Sequence, residues 1–311
     1  MKGKRVLVTG GAGFIGSHLV DRLVDEGCQV VVLDDLSSGS LENIRHHLNS
    51  GNVRFYEADV RSSEAVLKAV KGVDFVCHLA ALVSVPYSVQ EPLLTHEVNA
   101  TGTLNLLSAS LKCGVEEFLY LSTCAVYGEA KYLPIDEAHP TNPISPYAAS
   151  KLAAEHYCEA FHEAYGLRTV ILRAFNVYGP RQSAGVVAQF IQRFKDGYPP
   201  IIYGDGRQTR DFLYVQDAVD AILLAMNNND VVGRVFNIGT GKAIAINDLA
   251  RLLILLSGME LEPIYEEPMT GDVSHSCADI RKAEKELKYK PSFSLERALM
   301  GFVRAREEEI E

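Results

Sequence analysis

The sequence predicts a doubly wound α/β fold built on a parallel sheet, followed by a smaller mixed α/β lobe. Three observations carry this. Short valine-rich runs alternate with helical periodicities through residues 1–182, the pattern of parallel strands joined by right-handed helical crossovers. The runs are almost continuously apolar, so both faces of the sheet are covered. The chain has 311 residues, 47% hydrophobic and 23% charged, enough to fill one large or two modest domains. We place the first domain at 1–182, with a segment near 211–238 returning to it, and the smaller lobe mainly at 183–311.

The elements follow in order. "KRVLVTG" reads as the first strand, "FIGSHLVDRLVDEG" as a helix ending on Gly27, and "QVVVLDD" as a second buried strand. "VRFYEADV", "VDFVCHLAA", "EEFLYLST" and "LRTVILRAFNVYG" continue the strand series. "SSEAVLKAVKG", "EPLLTHEVNATGTLNLLSASLKCG" and "SPYAASKLAAEHY" supply helices between them. After Arg181 the rhythm changes. "GVVAQFIQRFKDG", "VQDAVDAILLAMNN", "INDLARLLILLSG" and "SLERALMGFVRAREEEIE" read as helices, and "RVFNIGTG" as a strand. No internal repeat or long linker separates the two parts.

Several function classes fall away on composition. The net charge is −10 with no basic run, which disfavours nucleic acid. Cys28, Cys77, Cys113, Cys124, Cys158 and Cys277 show no C-x-x-C spacing and read as reduced thiols. The nine histidines show no ligand spacing, and His46–His47 reads as a solvated helix face, so no metal is expected. The N-terminus is a strand rather than a signal peptide, and the longest apolar runs are too short for a bilayer. A cytoplasmic protein without a membrane partner is expected.

Between the first strand and helix stands "TGGAGFIGSH", with Gly10, Gly13 and Gly16 spaced G-x-x-G-x-x-G. Glycines in this strand–turn–helix context let the backbone approach a pyrophosphate, which the free N–H groups at the helix start attract. Phe14 and Ile15 fall in that first turn. Asp34 ends the second strand, 18 residues after Gly16. A carboxylate there accepts bonds from ribose hydroxyls and repels a 2′-phosphate, so the cofactor is read as NAD; Asp35 adds to the repulsion, and Ser38 and Gly39 follow in the same loop. Asp59 and Val60 lie after the third strand, toward an adenine. Leu79, Ala80 and Ala81 follow the fourth, where a cofactor runs past the sheet edge.

Tyr147 and Lys151 lie four apart at the start of a helix opened by Ser145 and Pro146. A free phenol, with a pKa of about 10, is too weak a base near neutrality. A neighbouring ammonium and a positive nicotinamide would stabilise the phenolate. Thr123, with Ser122 beside it, supplies a hydroxyl at the carboxyl edge of the sheet, where ligands bind in such folds.

These motifs, together with "HLAA", "VNATGTLNLL", "LSTCAVYG", "LRAFNVYGPRQ", "GDGRQTRDFLYVQDAVDAI", "FNIGTG" and "GDVSHSCADIRKAEKEL", resemble the extended short-chain dehydrogenase/reductases. Within them the match is to the nucleotide-sugar epimerase/dehydratase group, and it spans the whole chain. The resemblance implies a Rossmann-type domain and a catalytic trio of Thr123, Tyr147 and Lys151, with Ser122 adjacent. It also implies Asn99 on the cofactor side, and Asn176 and Arg210 against the sugar nucleotide, in a pocket completed by Val83, Val187, Tyr203, Asp272 and Ser276. Tyr203 is a candidate to stack on the base. Relatives that eliminate water carry Asp-Glu directly after the threonine, and relatives that decarboxylate carry Glu at the second of those positions; here stand Cys124 and Ala125. The reaction implied is 4-epimerisation of a UDP-hexose through a transient 4-keto sugar. Tyr147 takes the 4-hydroxyl proton, and NAD is regenerated each cycle. Other readings are a UDP-glucuronate or other nucleotide-sugar epimerase, or an NAD sensor without catalysis.

Ser276 matches the position whose bulk controls room for an N-acetyl group. Its small size favours UDP-N-acetylglucosamine as a substrate beside UDP-glucose. One departure is Met269, where many relatives have a diphosphate-holding arginine, leaving Arg210, Arg181 or Arg207 to supply the charge. The resemblance further implies a homodimer through a four-helix interface of "LLTHEVNATGTLNLLSASLK" and "YAASKLAAEHYCEAFHEAY".

Overall fold

The computed structural model describes residues 1–269 and 271–308. Its first half alternates strand and helix: β1 (Arg5–Thr9), α1 (Phe14–Asp25), β2 (Gln29–Asp34), α2 (Arg45–Ser50), β3 (Val53–Glu57), α3 (Ser63–Val70) and β4 (Phe75–His78). Short helices α4 (Val85–Gln90) and α5 (Pro92–His96) then run through a π turn, Glu97–Thr101, into α6 (Gly102–Cys113). β5 (Glu117–Thr123), the long α7 (Pro146–Tyr165) and β6 (Thr169–Ala174) complete this half.

The rest is mixed: β7 (Asn176–Tyr178), α8 (Val186–Lys195), β8 (Ile201–Tyr203), β9 (Thr209–Tyr214), α9 (Val215–Met226), β10 (Arg234–Ile238) and β11 (Ala243–Ala245). α10 (Ile246–Ser257), β12 (Ile264–Glu266), α11 (Arg281–Glu286) and α12 (Leu295–Glu308) follow.

Seven parallel strands form the central sheet in the order β10-β6-β5-β4-β1-β2-β3. The order reverses between β1 and β4, and the carboxyl ends of those strands face the crevice where such sheets bind ligands. One face of the sheet buries Val6, Val8, Val32 and Leu121 under α1 and α9. The other buries Leu7, Val31, Phe118 and Ile171 under α3, α6 and α7. Each of these side chains is worth roughly 1.5–3 kcal/mol when fully buried, so a parallel sheet covered on both sides is the stable outcome of such apolar strands. β3 departs from that pattern. It is the sheet edge, and only Val53 of its five residues is buried. A separate apolar core, including Tyr178, Phe190, Phe194, Phe212, Leu249 and Leu299, holds α8, α10 and α12 around the three-stranded sheet β11-β9-β7.

Among the described residues no helix is long and apolar enough to cross a membrane. The expectation of a solvated histidine pair fails at His47. It is buried, and its Nε2 lies 2.8 Å from Asp21, which also pairs with Arg181 at 2.8 Å. α2 is thereby tied to α1 and to the loop after β7, and the paired carboxylate explains why a histidine is drawn inward.

Glu117, at the far end of β5, carries a stability prediction. Its side chain is buried, Oε1 has no hydrogen-bond partner among the described residues, and Arg168 stands 3.3 Å from Oε2. Burial, only partly offset by Arg168, pushes its carboxyl up to about 7. A folded-state pKa above the unfolded one gives stability that is complete below the unfolded pKa and lost as pH rises through the folded one. Wild-type stability is therefore expected to fall between about pH 4.5 and 7. Glu117→Gln should flatten that fall and gain about 2 kcal/mol at pH 8. Urea midpoints at pH 5 and pH 8 check this; parallel shifts of both proteins with pH would refute it.

Candidate active site

The glycine loop closes as tightly as backbone allows. Gly10 has φ +69°, and a Cβ there would stand 2.9 Å from the Ala80 amide nitrogen. A Cβ on Gly16 would stand 2.0 Å from the Gly10 carbonyl oxygen. α1 therefore starts against the turn, with Gly13 at its N-cap, no side-chain cap and no acidic residue in the first turn. The amides of Phe14 and Ile15 are left for an external anion.

Asp34 is buried beside this turn. Its Oδ2 accepts from the Ala12 amide and its Oδ1 from the Leu36 amide, both at 2.9 Å. Burial pushes its carboxyl up while these amides pull it down. Each oxygen keeps lone pairs for ribose hydroxyls. Gly39 is packed so closely that a Cβ would meet Asp34 Oδ1 at 3.0 Å, and Ser38 is exposed next to it. Asp35 is exposed and accepts from Ser37. Asp59, read as an adenine contact, is paired with Arg61 at 2.6 Å; burial raises its carboxyl, and the Arg61 bonds outweigh that and lower it. Val60 is buried, and its carbonyl accepts from Asn105 at 3.1 Å.

His78, Thr9 and Thr103 set the strand end that the cofactor would pass, and none was singled out in the sequence. Burial holds the His78 pKa well below its usual value, so the ring is neutral. Thr103 donates to the Asn99 carbonyl at 2.5 Å, which leaves it to accept from His78 Nε2 at 2.9 Å. His78 Nδ1 then accepts from Thr9 at 2.7 Å. The Thr9 oxygen in turn accepts from the amides of Leu79 and Ala80, both at 3.2 Å, fixing the half-buried turn Leu79–Ala80–Ala81. What joins Thr9 to His78 is the register of β1 against β4, which the sequence alone does not report.

Asn99 sits in the π turn, an irregularity common at functional sites. Its Oδ1 accepts from Leu82 N at 2.8 Å, and its Nδ2 donates to Leu82 O and Ser150. It ties the loop bearing the exposed Val83 to the base of α7.

Tyr147 lies one residue into α7, after the Ser145 cap and Pro146. It is 9% exposed and lies beside the Thr123 side chain. Thr123 also caps the turn 124–127 by accepting from Ala125 N at 3.2 Å. The Lys151 Nζ donates to the Leu121 carbonyl at 2.7 Å and lies 4.3 Å over the Tyr120 ring, which fixes its ammonium one turn along α7 from the phenol. Burial pushes Tyr147 up to about 12, partly offset by Thr123, and burial pushes Lys151 down to about 7. The Ser122 hydroxyl donates to buried Glu155, two turns along α7 from Tyr147.

On the other side of Thr123, Ser276 is 4% exposed, and its hydroxyl lies 3.9 Å from the Cys124 sulfur. Burial pushes the Cys124 thiol up to about 11. Ser276 is seated by its amide on Thr209 O at 3.0 Å. Asp211, fully buried, accepts from Thr240 N, Thr240 Oγ1, Gly241 N and Ala278 N, and so stitches β9, the turn after β10 and the 276–278 segment together.

Arg210 is buried, with its guanidinium on Asp272 and the Val273 carbonyl at 2.5 Å each. Arg181 is spent on Asp21 at 2.8 Å, and Arg207 is exposed and only loosely paired with Asp205 at 3.6 Å. Of the three arginines considered, Arg210 alone is pinned beside Ser276. Met269 is 42% exposed. Asn176 donates to Asp211 O at 3.3 Å. Tyr203 is half-buried, and its carbonyl accepts from Gln208. Val187 departs from the pocket reading: its side chain is sunk in the smaller core, leaving only its backbone amide, near the start of α8, for a ligand.

The chain is similar over 99% of its length, at 42% identity and a TM-score of 0.93, to the whole chain of a UDP-glucose 4-epimerase from Thermotoga maritima crystallised with UDP-glucose. It is similar at 39% identity and 0.93, over 99% of its length and 100% of the other, to a UDP-N-acetylglucosamine 4-epimerase from Methanobrevibacter ruminantium. A dTDP-glucose 4,6-dehydratase from Streptomyces venezuelae with NAD bound matches at 0.94 with 32% identity, over 98% of this chain and 97% of its own. The fold thus does not separate epimerases from dehydratases. A family model matches residues 6–239, and on that match the chain belongs to the NAD-dependent epimerase/dehydratase family.

Proposed function

We propose that this protein is a UDP-sugar 4-epimerase acting on UDP-glucose and UDP-galactose and, through the small Ser276, on their N-acetyl counterparts. The observation that carries the reading is buried Tyr147 placed beside Thr123, which Cys124 and Ala125 follow in sequence. One tyrosine can take and return the sugar 4-hydroxyl proton, and no acid or base follows Thr123 to eliminate water.

The residues present fit NAD. The amides of Phe14 and Ile15 would hold the pyrophosphate and Asp34 the adenosine ribose, and the turn from Leu79 to Ala81 would border the nicotinamide half. Bound there, NAD supplies the acceptor and donor of hydride that oxidation and re-reduction at C4 need. The chain does the rest. Tyr147 holds or moves the 4-hydroxyl proton, with Thr123 orienting its phenol. A phenol near 12 must fall by several units to act as a base at neutral pH, which requires a positive charge brought close when the site fills. Arg210, Asp272, Asn176 and Tyr203 are proposed to hold the nucleotide end, Arg210 turning from Asp272 toward the diphosphate. In this division residues 1–182 with 211–238 carry the cofactor, and 183–311 mainly the sugar nucleotide.

Anomeric-proton NMR with UDP-glucose, UDP-N-acetylglucosamine and UDP-glucuronate in parallel tests the reading. Conversion of the first two to their 4-epimers supports it. Conversion of the glucuronate alone would replace it with a uronate epimerase, and no conversion with NAD added would remove it. Ser276→Tyr is expected to cut N-acetyl turnover at least about tenfold relative to UDP-glucose, the scale on which bulk discriminates in a pocket. Equal loss on both sugars would sink the gatekeeper role.

A homodimer is part of the proposal. Leu93 is 79% exposed, and Leu111, Tyr157 and Tyr165 are also exposed on α5, α6 and α7. Apolar side chains on these helices fit a four-helix interface with a second copy. Light scattering should give twice the chain mass, and Leu93→Glu should shift it toward the monomer.

A further inference from the structure

Three side chains of α7, each one turn after the last, hold three consecutive residues at the end of β5. Tyr147 lies beside Thr123, Lys151 donates to the Leu121 carbonyl, and Glu155 accepts from the Ser122 hydroxyl. The i, i+4, i+8 spacing puts all three on one helix face. The first two have roles above and the third has none. Glu155 is 1% exposed and also accepts from Arg173, at 3.0 and 3.1 Å from Nε and 2.6 Å from a terminal nitrogen. Arg173 continues to the Tyr127 hydroxyl at 2.9 Å, and Tyr127 donates to Asn237 at 2.7 Å. A buried ion pair is often no more stabilising than apolar side chains of the same shape, so stability alone is a weak reason for this one.

We propose that Glu155 is a positioning residue for the epimerisation: it seats residues 121–123 against α7 and supplies the negative charge that keeps buried Lys151 protonated. This rests on the epimerase reading above. Lys151 is surrounded by few charges. Glu155 and Cys158 lie on its own helix, with Tyr147 one turn before it. Tyr120 faces it from β5 and neutral His78 from β4, and Arg173 on β6 is paired with Glu155. Burial lowers Lys151, and Glu155 is the first of the groups opposing that. The Cys158 thiol is pushed well up by its own burial and stays uncharged.

The test uses the NAD-loaded protein with UDP-glucose. Glu155→Gln alone would strand a buried guanidinium, so both charges are removed in Glu155→Met/Arg173→Met. With 15N-lysine labelling, and the Lys151 signal assigned by Lys151→Arg, its titration midpoint should drop by about one unit or more in the double variant. The alkaline limb of the kcat profile should move down equally, and kcat at pH 8 should fall about tenfold with KM within about threefold of wild type. An unmoved midpoint, or a loss of kcat without movement of the limb, would overturn the proposal. If the double variant does not fold, Glu155→Asp decides. It keeps the charge and the arginine but withdraws from Ser122, so it should titrate as wild type and turn over more slowly. A wild-type rate, or a midpoint lowered as in the neutral variant, would count against it. If wild type epimerises no UDP-sugar, the epimerase reading fails, and the turnover-free titration still judges Glu155.

Discussion

Tyr147→Phe is expected to fold, bind NAD with unchanged affinity and lose about 10³-fold in kcat, the usual worth of a positioned acid–base group. The substitution removes one oxygen from a side chain 9% exposed whose hydroxyl contacts Thr123. The ring keeps its place on α7, which is fixed by the Ser145 cap and by the Lys151 and Glu155 bonds one and two turns on. The loss should therefore appear in kcat with KM nearly unmoved, the mark of an interaction made only in the transition state. The kinetics and an NAD titration are run on the same preparation. Turnover within tenfold of wild type would remove Tyr147 as the base and move attention to Thr123. Loss of NAD binding in parallel would mean that the phenol serves the cofactor rather than the sugar.

How much of this was legible in the sequence differs by residue. The glycine turn and Asp34 were, because their chemistry depends on backbone approach and on a strand end, and both are local patterns. The Tyr147–Lys151 spacing was legible for the same reason. What each side chain touches was not. Ser122 and Thr123 are neighbours in sequence, yet Ser122 is held by Glu155, two turns along α7 from Tyr147. Lys151 shares a helix face with Tyr147, but a carbonyl of β5 lies nearer than the phenol and captures its ammonium. Asp211 and His78 looked like ordinary polar residues in apolar strands. Their four and two hydrogen bonds come from segments far away in sequence, which no local pattern reports. Val187 carried the periodicity of a buried helix, and the core claimed it.

Gly16→Ala should raise the Kd for NAD at least about 100-fold, because the clash is with backbone and the backbone there is the binding element. The new Cβ would lie 2.0 Å from the Gly10 oxygen, 2.8 Å from its carbonyl carbon and 2.9 Å from the Gly11 Cα. None of these can rotate aside as a side-chain end can. Either α1 slides off the turn or the turn opens. α1 is held by Leu19, Val20 and Leu23, each fully buried against the sheet and α9, so the turn is the weaker partner. Opening it displaces Gly10 from Ala80 and moves the amides of Phe14 and Ile15 away from a common anion. Gly301→Ala is the matched control. It lies in α12 with nothing within 4 Å of the new methyl, and helix propensity alone should make it neutral or stabilising by up to about 1 kcal/mol. NAD titration calorimetry and thermal unfolding with and without NAD separate the outcomes. Gly16→Ala should lose most of the NAD-induced rise in Tm, while Gly301→Ala keeps it. A Gly16→Ala protein that bound NAD as wild type does would mean that the turn can yield without cost, and that the dinucleotide is held elsewhere.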